Sequence, residues 1–374
     1  MTKSKINQLL IQYEKVSKEY DLCDTCFNRL FSKKFAGKKP RKKYSKCYIC
    51  KNVFSNLKPC VDKMLEKSST FQFSTFVTGA ILKPSFVDRD DLIRSKYRLK
   101  GIDSLKTGLT RTISKEFQKK TKKKIDFQNP DITFILNFKN DSCDVRSKPV
   151  CLFGRYTKNT RGFPQKQKPC ENCNGKGCVS CNLHGISNFD SVEGKISEYI
   201  FKKFGATQVK ITWIGGEDKT SLVLGRGRPF FAKLINPQKR KIRSMKKIKL
   251  KEISLYDLKV IRQIPKGPIP FKSKIQIQVT SDNKIDSSIL KNLKLIKNAT
   301  VLVHEKPGKE AAKSVYSLSY KKTTPTSFSL SLTVDGGLPI KKFVESDSVK
   351  PNISEILDFN CKCKEFDFCG VELQ

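Results

Sequence analysis

One turn of this sequence carries a residue that could act as a nucleophile. Asp218 lies in the segment WIGGEDKTSLVLG, after two glycines and between two strand-like runs at 208–214 and 221–224. The glycines predict a tight turn that presents Glu217 and Asp218 at its rim. A carboxylate held there could attack a substrate carbon and later leave it. From spacing alone, an aspartate that bonds its own turn backbone is the more ordinary interpretation.

Two groups of four cysteines have the spacing of metal sites. Each contains two Cys-x2-Cys pairs, separated by twenty residues in the first group and four in the second: Cys23, Cys26, Cys47 and Cys50, then Cys170, Cys173, Cys178 and Cys181. Thiolates bind Zn²⁺ tetrahedrally, so we predict structural zinc in both groups. His184 could substitute as a ligand, although a surface turn histidine is the simpler interpretation. We expect Cys361, Cys363 and Cys369 to be ordinary thiols.

The charge balance predicts a polyanionic partner. Among 374 residues, 75 are Lys or Arg and 35 are Asp or Glu, which gives a net charge of +40. Such a surplus repels itself unless nucleic acid neutralises it. A lysine-rich proteome is the alternative, but such a bias normally raises Glu as well. Basic runs at 119–124 and 239–251 support strongly salt-dependent binding.

The sequence is typical of a folded protein without a membrane segment. Its hydrophobic fraction of 37% can build packed cores, and its length suggests two or three domains. Neither a signal-peptide pattern nor an apolar run of about 18 residues is present. We therefore expect a cytoplasmic protein, whose reduced thiols bind metal rather than forming disulfides.

The segment around Asp218 resembles the catalytic motif of the THUMP-containing tRNA pseudouridine synthases of archaea and eukaryotes. In that family a Gly-Arg-Glu-Asp turn precedes a strand, a Gly-x-Gly-Arg-Pro-Phe loop and an Asn-Pro. The match comprises Gly215, Glu217, Asp218, Leu224, Gly225, Gly227, Arg228, Pro229, Phe230, Asn236 and Pro237. The segments 154–156, 161–165, 170–185 and 335–357 also follow the archaeal members, so the resemblance covers nearly the whole chain.

This resemblance implies an isomerase that converts uridine to pseudouridine in the TΨC arm of tRNA, at uridine 54, uridine 55 or both. Asp218 would be the nucleophile, and no organic cofactor would be needed. Ile275, Ile340 and Lys341 would line the uridine pocket, with Lys341 as a charge partner for Asp218 or for phosphate. A solvated lysine is an equally open interpretation of Lys341. We expect the protein to act as a monomer.

Three positions depart from the family pattern. The family's Arg before Glu-Asp is Gly216, its pocket Tyr aligns with Ile275, and a second Tyr is Pro339. These changes leave open a protein on the same scaffold that binds tRNA without catalysis.

The predicted fold class is α+β, with four successive parts. Residues 1–55 form a zinc-binding module, 56–160 a THUMP-like α/β RNA-binding domain, and 161–188 a cysteine-rich knuckle. Residues 189–374 form a catalytic domain with a mixed, mostly antiparallel sheet. In that domain, Asp190 with Glu193 predicts a capped helix, which ends at Gly205.

The run Arg226-Gly227-Arg228-Pro229 has two interpretations. It matches the core of the AT-hook, which inserts into the minor groove of DNA from a disordered segment. Apolar strands flank the run here, so we favour a structured loop at 225–229 whose Arg228 contacts RNA phosphate. We do not expect DNA as a partner.

Overall fold

The computed structural model describes residues 3–31, 46–242, 245–306 and 309–374. Within them the chain forms two compact units, Met1–Lys148 and Pro149–Gln374. Both contain helices and sheets, so the predicted α+β class is confirmed. None of the helices in this described part is long and apolar enough to cross a membrane.

The first unit contains five α-helices and a four-stranded sheet. The helices are α1 (Lys3–Glu19), α2 (Asp24–Leu30), α3 (Lys58–Ser68), α4 (Pro84–Lys96) and α5 (Leu105–Thr121). The strands are β1 (Thr75–Ile81), β2 (Lys124–Ile125), β3 (Ile132–Asn137) and β4 (Ser142–Ser147), in the order β2-β1-β3-β4. β1 runs parallel to β2 and β3, and β3 pairs antiparallel with β4.

A buried ion pair joins the cysteine module to the rest of this unit. The guanidinium of Arg29, in α2, contacts the carboxylate of Asp90, in α4, and also donates to the carbonyl of Asp103 at 2.7 Å. Asp90 accepts a hydrogen bond from the amide of Leu105 at 3.0 Å. Gly108 leaves room for the Arg29 stem, because a Cβ there would lie 2.8 Å from Arg29 Cδ. The predicted parts 1–55 and 56–160 therefore share one core.

The second unit is built on an eleven-stranded sheet. Its first half contains β5 (Val150–Lys158), α6 (Val192–Phe204), β6 (Gln208–Trp213), β7 (Val223–Ile235), β8 (Met245–Lys249), β9 (Ile253–Ile261) and β10 (Phe271–Ser281). Its second half contains β11 (Thr300–Lys306), β12 (Lys309–Thr324), β13 (Ser327–Asp335), α7 (Ile340–Glu345), β14 (Val349–Lys350), α8 (Ile353–Leu357) and β15 (Cys361–Leu373). Short 3₁₀ helices lie at Val179–Cys181 and Ile289–Ile296.

The strand order is β14-β11-β12-β13-β10-β15-β7-β5-β9-β8, with β6 paired to β7. The sheet is mixed: β15 meets β7 in parallel, whereas neighbours such as β10 and β13 are antiparallel. Two apolar cores lie in this unit, one around β10, β13 and α7 and one around α6, β5 and β7.

Three predicted details need correction. β5 pairs with β7 and β9 in the larger sheet, so the boundary falls after Lys148 rather than at 160. The N-cap of α6 is Ser191, whose hydroxyl accepts from the amide of Gly194, and not Asp190. Gly205 ends α6 as predicted, with φ of +61°. Residues 225–229 are part of strand β7 rather than a loop, and positions 243–244 of the second basic run lie outside the described residues.

Candidate active site

Asp218 lies on the connection between two paired strands of the second unit. β6 ends at Trp213, its partner β7 starts at Val223, and Gly215 turns the chain with φ of +73°. The turn closes with a hydrogen bond of 3.1 Å from the amide of Ser221 to the carbonyl of Asp218. Only glycine adopts this φ without strain, so the glycine at 215 fixes where the acidic pair follows.

The Asp218 carboxylate is ionised and reachable. Its Oδ2 lies 2.5 Å from Nζ of Lys341, and the two side chains are 31% and 53% exposed. The hydrogen bond from Lys341 lowers the pKa of Asp218, and the backbone amides of Thr220 and Lys219 lower it further. The pKa of Lys341 is raised by the same pair. The pair is open to solvent, so a nucleotide can approach the carboxylate.

Glu217 points in the opposite direction, into the protein. Its side chain is fully buried, whereas the sequence predicted both acidic residues at the rim. Oε2 accepts from the Tyr156 hydroxyl at 2.7 Å and from Nε of Arg228 at 3.1 Å. Nζ of Lys158 lies 3.5 Å from Oε1. A buried carboxylate is stable only when such partners compensate its lost hydration, so Glu217 anchors the turn.

The predicted contact between Arg228 and RNA phosphate is contradicted by the structure. The Arg228 side chain is buried, donates to the carbonyl of Ile214 at 2.8 Å and lies over the Phe368 ring at 4.2 Å. In β7 the exposed arginine is Arg226, at 81%. Two residues with positive φ, Gly225 and Gly227, bend the strand there and separate the directions of the two arginines.

An aromatic ring joins the Asp218 turn to the segment before α7. A Cβ on Gly215 would lie 2.6 Å from Cζ of Phe271, and one on Gly336 would lie 2.3 Å from the same atom. The ring therefore packs directly on two backbone segments, one leading to Asp218 and one to Lys341. The sequence analysis missed Phe271, although it is the first residue of β10, the strand that was searched for a pocket aromatic.

The two isoleucines predicted to line the pocket are core residues. Ile275 is 2% exposed in the middle of β10, between β13 and β15. Ile340 is 4% exposed at the start of α7 and packs in the same core. Neither side chain offers the surface that a bound base would need. Lys341, the next residue of α7, is the member of the predicted set that reaches Asp218.

The cysteine groups have the geometry of tetrathiolate sites. Within each group the sulfur atoms all lie within 4.8 Å of one another. Individual separations are 3.6 Å for Cys23 with Cys50 and 3.7 Å for Cys178 with Cys181. Zinc–sulfur bonds of about 2.3 Å in a tetrahedron require sulfur atoms about 3.8 Å apart, so both groups fit Zn²⁺. His184 instead stacks on Phe201 with ring centroids 3.7 Å apart.

Comparison with known proteins gives consistent matches along the chain. Residues 151–372 match the family model "Pus10, C-terminal", and residues 60–137 match "Pus10 THUMP domain, archaeal". A Nitrosopumilus maritimus protein named tRNA pseudouridine synthase Pus10 is 49% identical, over 96% of this chain and 97% of its own length. A Cenarchaeum symbiosum protein of the same name is 35% identical, over 95% and 90%. One solved structure, a Cbf5-Nop10-Gar1 complex, matches at 8% identity over 58% of each chain with a TM-score of 0.30, which is too low to support an argument.

Proposed function

The chain belongs to the Pus10 family of tRNA pseudouridine synthases, and we propose that Asp218 is the nucleophile with which it isomerises uridine in the TΨC arm of tRNA. The target would be uridine 54, uridine 55 or both. The observation that supports this proposal is the exposed, ionised Asp218 carboxylate at the tip of a turn, paired with Lys341.

The reaction needs a group that attaches to the substrate and leaves again. The bond between uracil N1 and ribose C1′ breaks, the base turns, and a bond forms between C5 and C1′. C5 loses a proton and N1 gains one, so the product is an isomer and no oxidant, reductant or cofactor is required. A carboxylate can hold C1′ or stabilise its positive charge during this exchange. The target nucleotide must leave its stack to reach the site.

Phe271 is the ring on which we propose that the uracil stacks, in place of the Tyr that the resemblance predicted. Its ring lies beside the turn that carries Asp218 and is only partly buried. Aromatic faces stack on any base, and such contacts contribute about 1–3 kcal/mol each. A phenyl ring cannot accept a proton. Among the described groups around this turn, the Asp218 carboxylate is therefore our candidate for removing the proton from C5.

A separate basic cleft is proposed to hold the tRNA backbone. This cleft has a volume of about 250 Å³, and its basic lining residues are Arg226, Lys272 and Lys274. Side chains alternate along β10, so Lys272 and Lys274 face away from the Phe271 ring. The cleft would therefore contact phosphates of the tRNA other than that of the everted nucleotide.

Two further parts of the chain would position the substrate without taking part in the reaction. We propose that the THUMP domain holds the acceptor end of the tRNA and that each cysteine group binds one structural Zn²⁺. All four ligand positions of each ion would be occupied by thiolates, so neither ion would activate water.

The decisive experiment uses an unmodified tRNA transcript. Pseudouridine is mapped by carbodiimide-dependent stops of primer extension after incubation with the wild-type protein or Asp218→Ala. We expect product in the TΨC arm from the wild type and none from Asp218→Ala, with tRNA affinity retained. Asp282→Ala is the matched control, because Asp282 pairs with Lys362 at 3.3 Å on the surface of the same unit. Tight tRNA binding by the wild type without product would instead support the non-catalytic alternative.

A further inference from the structure

A buried lysine binds the backbone of the Asp218 turn from below. The Lys158 side chain at the end of β5 is fully buried. Its Nζ donates to the carbonyl oxygens of Phe163 at 3.0 Å, Asp218 at 3.1 Å and Lys219 at 3.4 Å. An ammonium group has three donors and no acceptor, and here three carbonyls surround it. It therefore binds the turn through main-chain atoms, and its side chain has no exposed surface with which to reach a substrate.

The residues that follow Lys158 extend this contact along the turn. The amide of Gly162 donates to the carbonyl of Lys219 at 3.0 Å, and Nη1 of Arg161 donates to the carbonyl of Thr220 at 2.7 Å. Three consecutive carbonyls, at 218, 219 and 220, are thus held by one segment, 158–162. The guanidinium of Arg161 is itself fixed by two hydrogen bonds of 2.7 and 2.8 Å to Asp367.

The charges around Lys158 show why its removal need not unfold the protein. Glu217 has two buried cationic neighbours, Lys158 at 3.5 Å and Arg228 at 3.1 Å. Without the lysine ammonium, the carboxylate still has one guanidinium as its partner. Breaking a buried ion pair is severe when it leaves a charge uncompensated, which is not the case here. Methionine has nearly the same length as lysine and suits a buried site.

We propose that Lys158 is a positioning residue whose ammonium group holds the main chain of the turn and so fixes the place of the Asp218 carboxylate. This inference rests on the proposed role of Asp218. A shift of about 1 Å at a reacting group can lower a rate about 100-fold. Lys158 should therefore affect the rate of the chemical step and leave tRNA affinity unchanged, because it has no surface on which RNA could bind.

Lys158→Met tests this split. We expect the single-turnover rate at saturating tRNA to fall about 100-fold, with the dissociation constant for tRNA within twofold of the wild type. Amide exchange should quicken at Ser221, because its hydrogen bond ends on the same Asp218 carbonyl that Lys158 holds. Lys195→Met is the control: Lys195 is a half-buried lysine of the same unit, paired with Glu252 at 3.7 Å, and it should keep both rate and exchange.

Two outcomes would overturn the inference: a folded Lys158→Met protein with a rate within threefold of the wild type, or a loss confined to tRNA affinity. If that variant does not fold, Lys158→Gln keeps amide donors at the site and must show the same separation of rate and affinity. If the wild type forms no pseudouridine, the proposed function fails, but exchange at Ser221 still tests Lys158. Unchanged exchange in the variant would then refute its positioning role.

Discussion

Replacing Gly336 by alanine should disable the site without touching a charged residue. The added Cβ would lie 2.3, 2.4 and 2.5 Å from three carbon atoms of the Phe271 ring. Carbon atoms pack at about 3.5–4.0 Å, so the ring has to move by more than about 1 Å. Gly336 has ordinary backbone angles, so the effect would be steric and not a consequence of backbone strain.

The ring cannot move without affecting the Asp218 turn. Its Cζ atom already lies against Gly215, three residues before Asp218, and the Gly336 amide is fixed to the Phe271 carbonyl at 2.7 Å. We expect the single-turnover rate to fall about 100-fold, as for a displacement of about 1 Å at a reacting group. Overpacking of this kind should also lower the free energy of unfolding by about 1–3 kcal/mol.

The assay compares single-turnover pseudouridine formation and thermal unfolding for the wild type, Gly336→Ala and Gly370→Ala. Gly370 in β15 is the matched control, because a Cβ there would meet no atom within 4 Å. Phe271→Leu removes the ring atoms that the new methyl group would contact, so the two substitutions should be non-additive in stability. A Gly336→Ala protein with the wild-type rate and unfolding temperature would refute the view that Phe271 links the two segments.

Three further predictions concern the metal, the cleft and the ion pair. Metal analysis should find one or two zinc ions per chain, and chelation should lower the thermal unfolding temperature; a stable metal-free protein would reject the zinc proposal. Replacing Arg226, Lys272 and Lys274 together by alanine should weaken tRNA binding and reduce the slope of log K against log salt by about 1 per lost phosphate contact, and an unchanged slope would exclude the cleft. In Lys341→Met the pKa of Asp218 should rise toward or above its ordinary value of 3.8, as a carbon-13 titration of the carboxyl group would detect. Because the folded-state pKa is lowered, the stability from this pair is present above pH 3.8 and is lost as the pH falls through the folded-state value, and this dependence should disappear in the variant.

The sequence could predict features that depend on neighbouring residues. The glycine pair located the Asp218 turn, and the Cys-x2-Cys spacing identified both cysteine groups whose sulfur atoms converge in the structure. Apolar spacing and Gly205 located α6 and its end. In each case the signal lies within a short segment, where local backbone geometry decides the outcome.

Features that depend on side-chain direction could not be predicted in the same way. Glu217 and Asp218 are adjacent acidic residues, yet one is buried and the other exposed, and only the tertiary positions of Tyr156 and Arg228 decide which. Arg226 and Arg228 would share one face of a regular strand. The positive φ of Gly227 breaks that alternation, and glycine alone does not reveal which conformation it adopts.

The Arg29–Asp90 pair means that the N-terminal cysteine module is not an exchangeable attachment. A chain shortened to begin at α3 would leave the buried Asp90 carboxylate without its guanidinium, and such a loss typically costs about 3–5 kcal/mol. The missing Arg29 stem would also leave a gap beside Gly108. A THUMP domain transplanted from this protein should therefore carry its own first thirty residues, or receive a neutral residue at position 90, before it can be expected to fold alone.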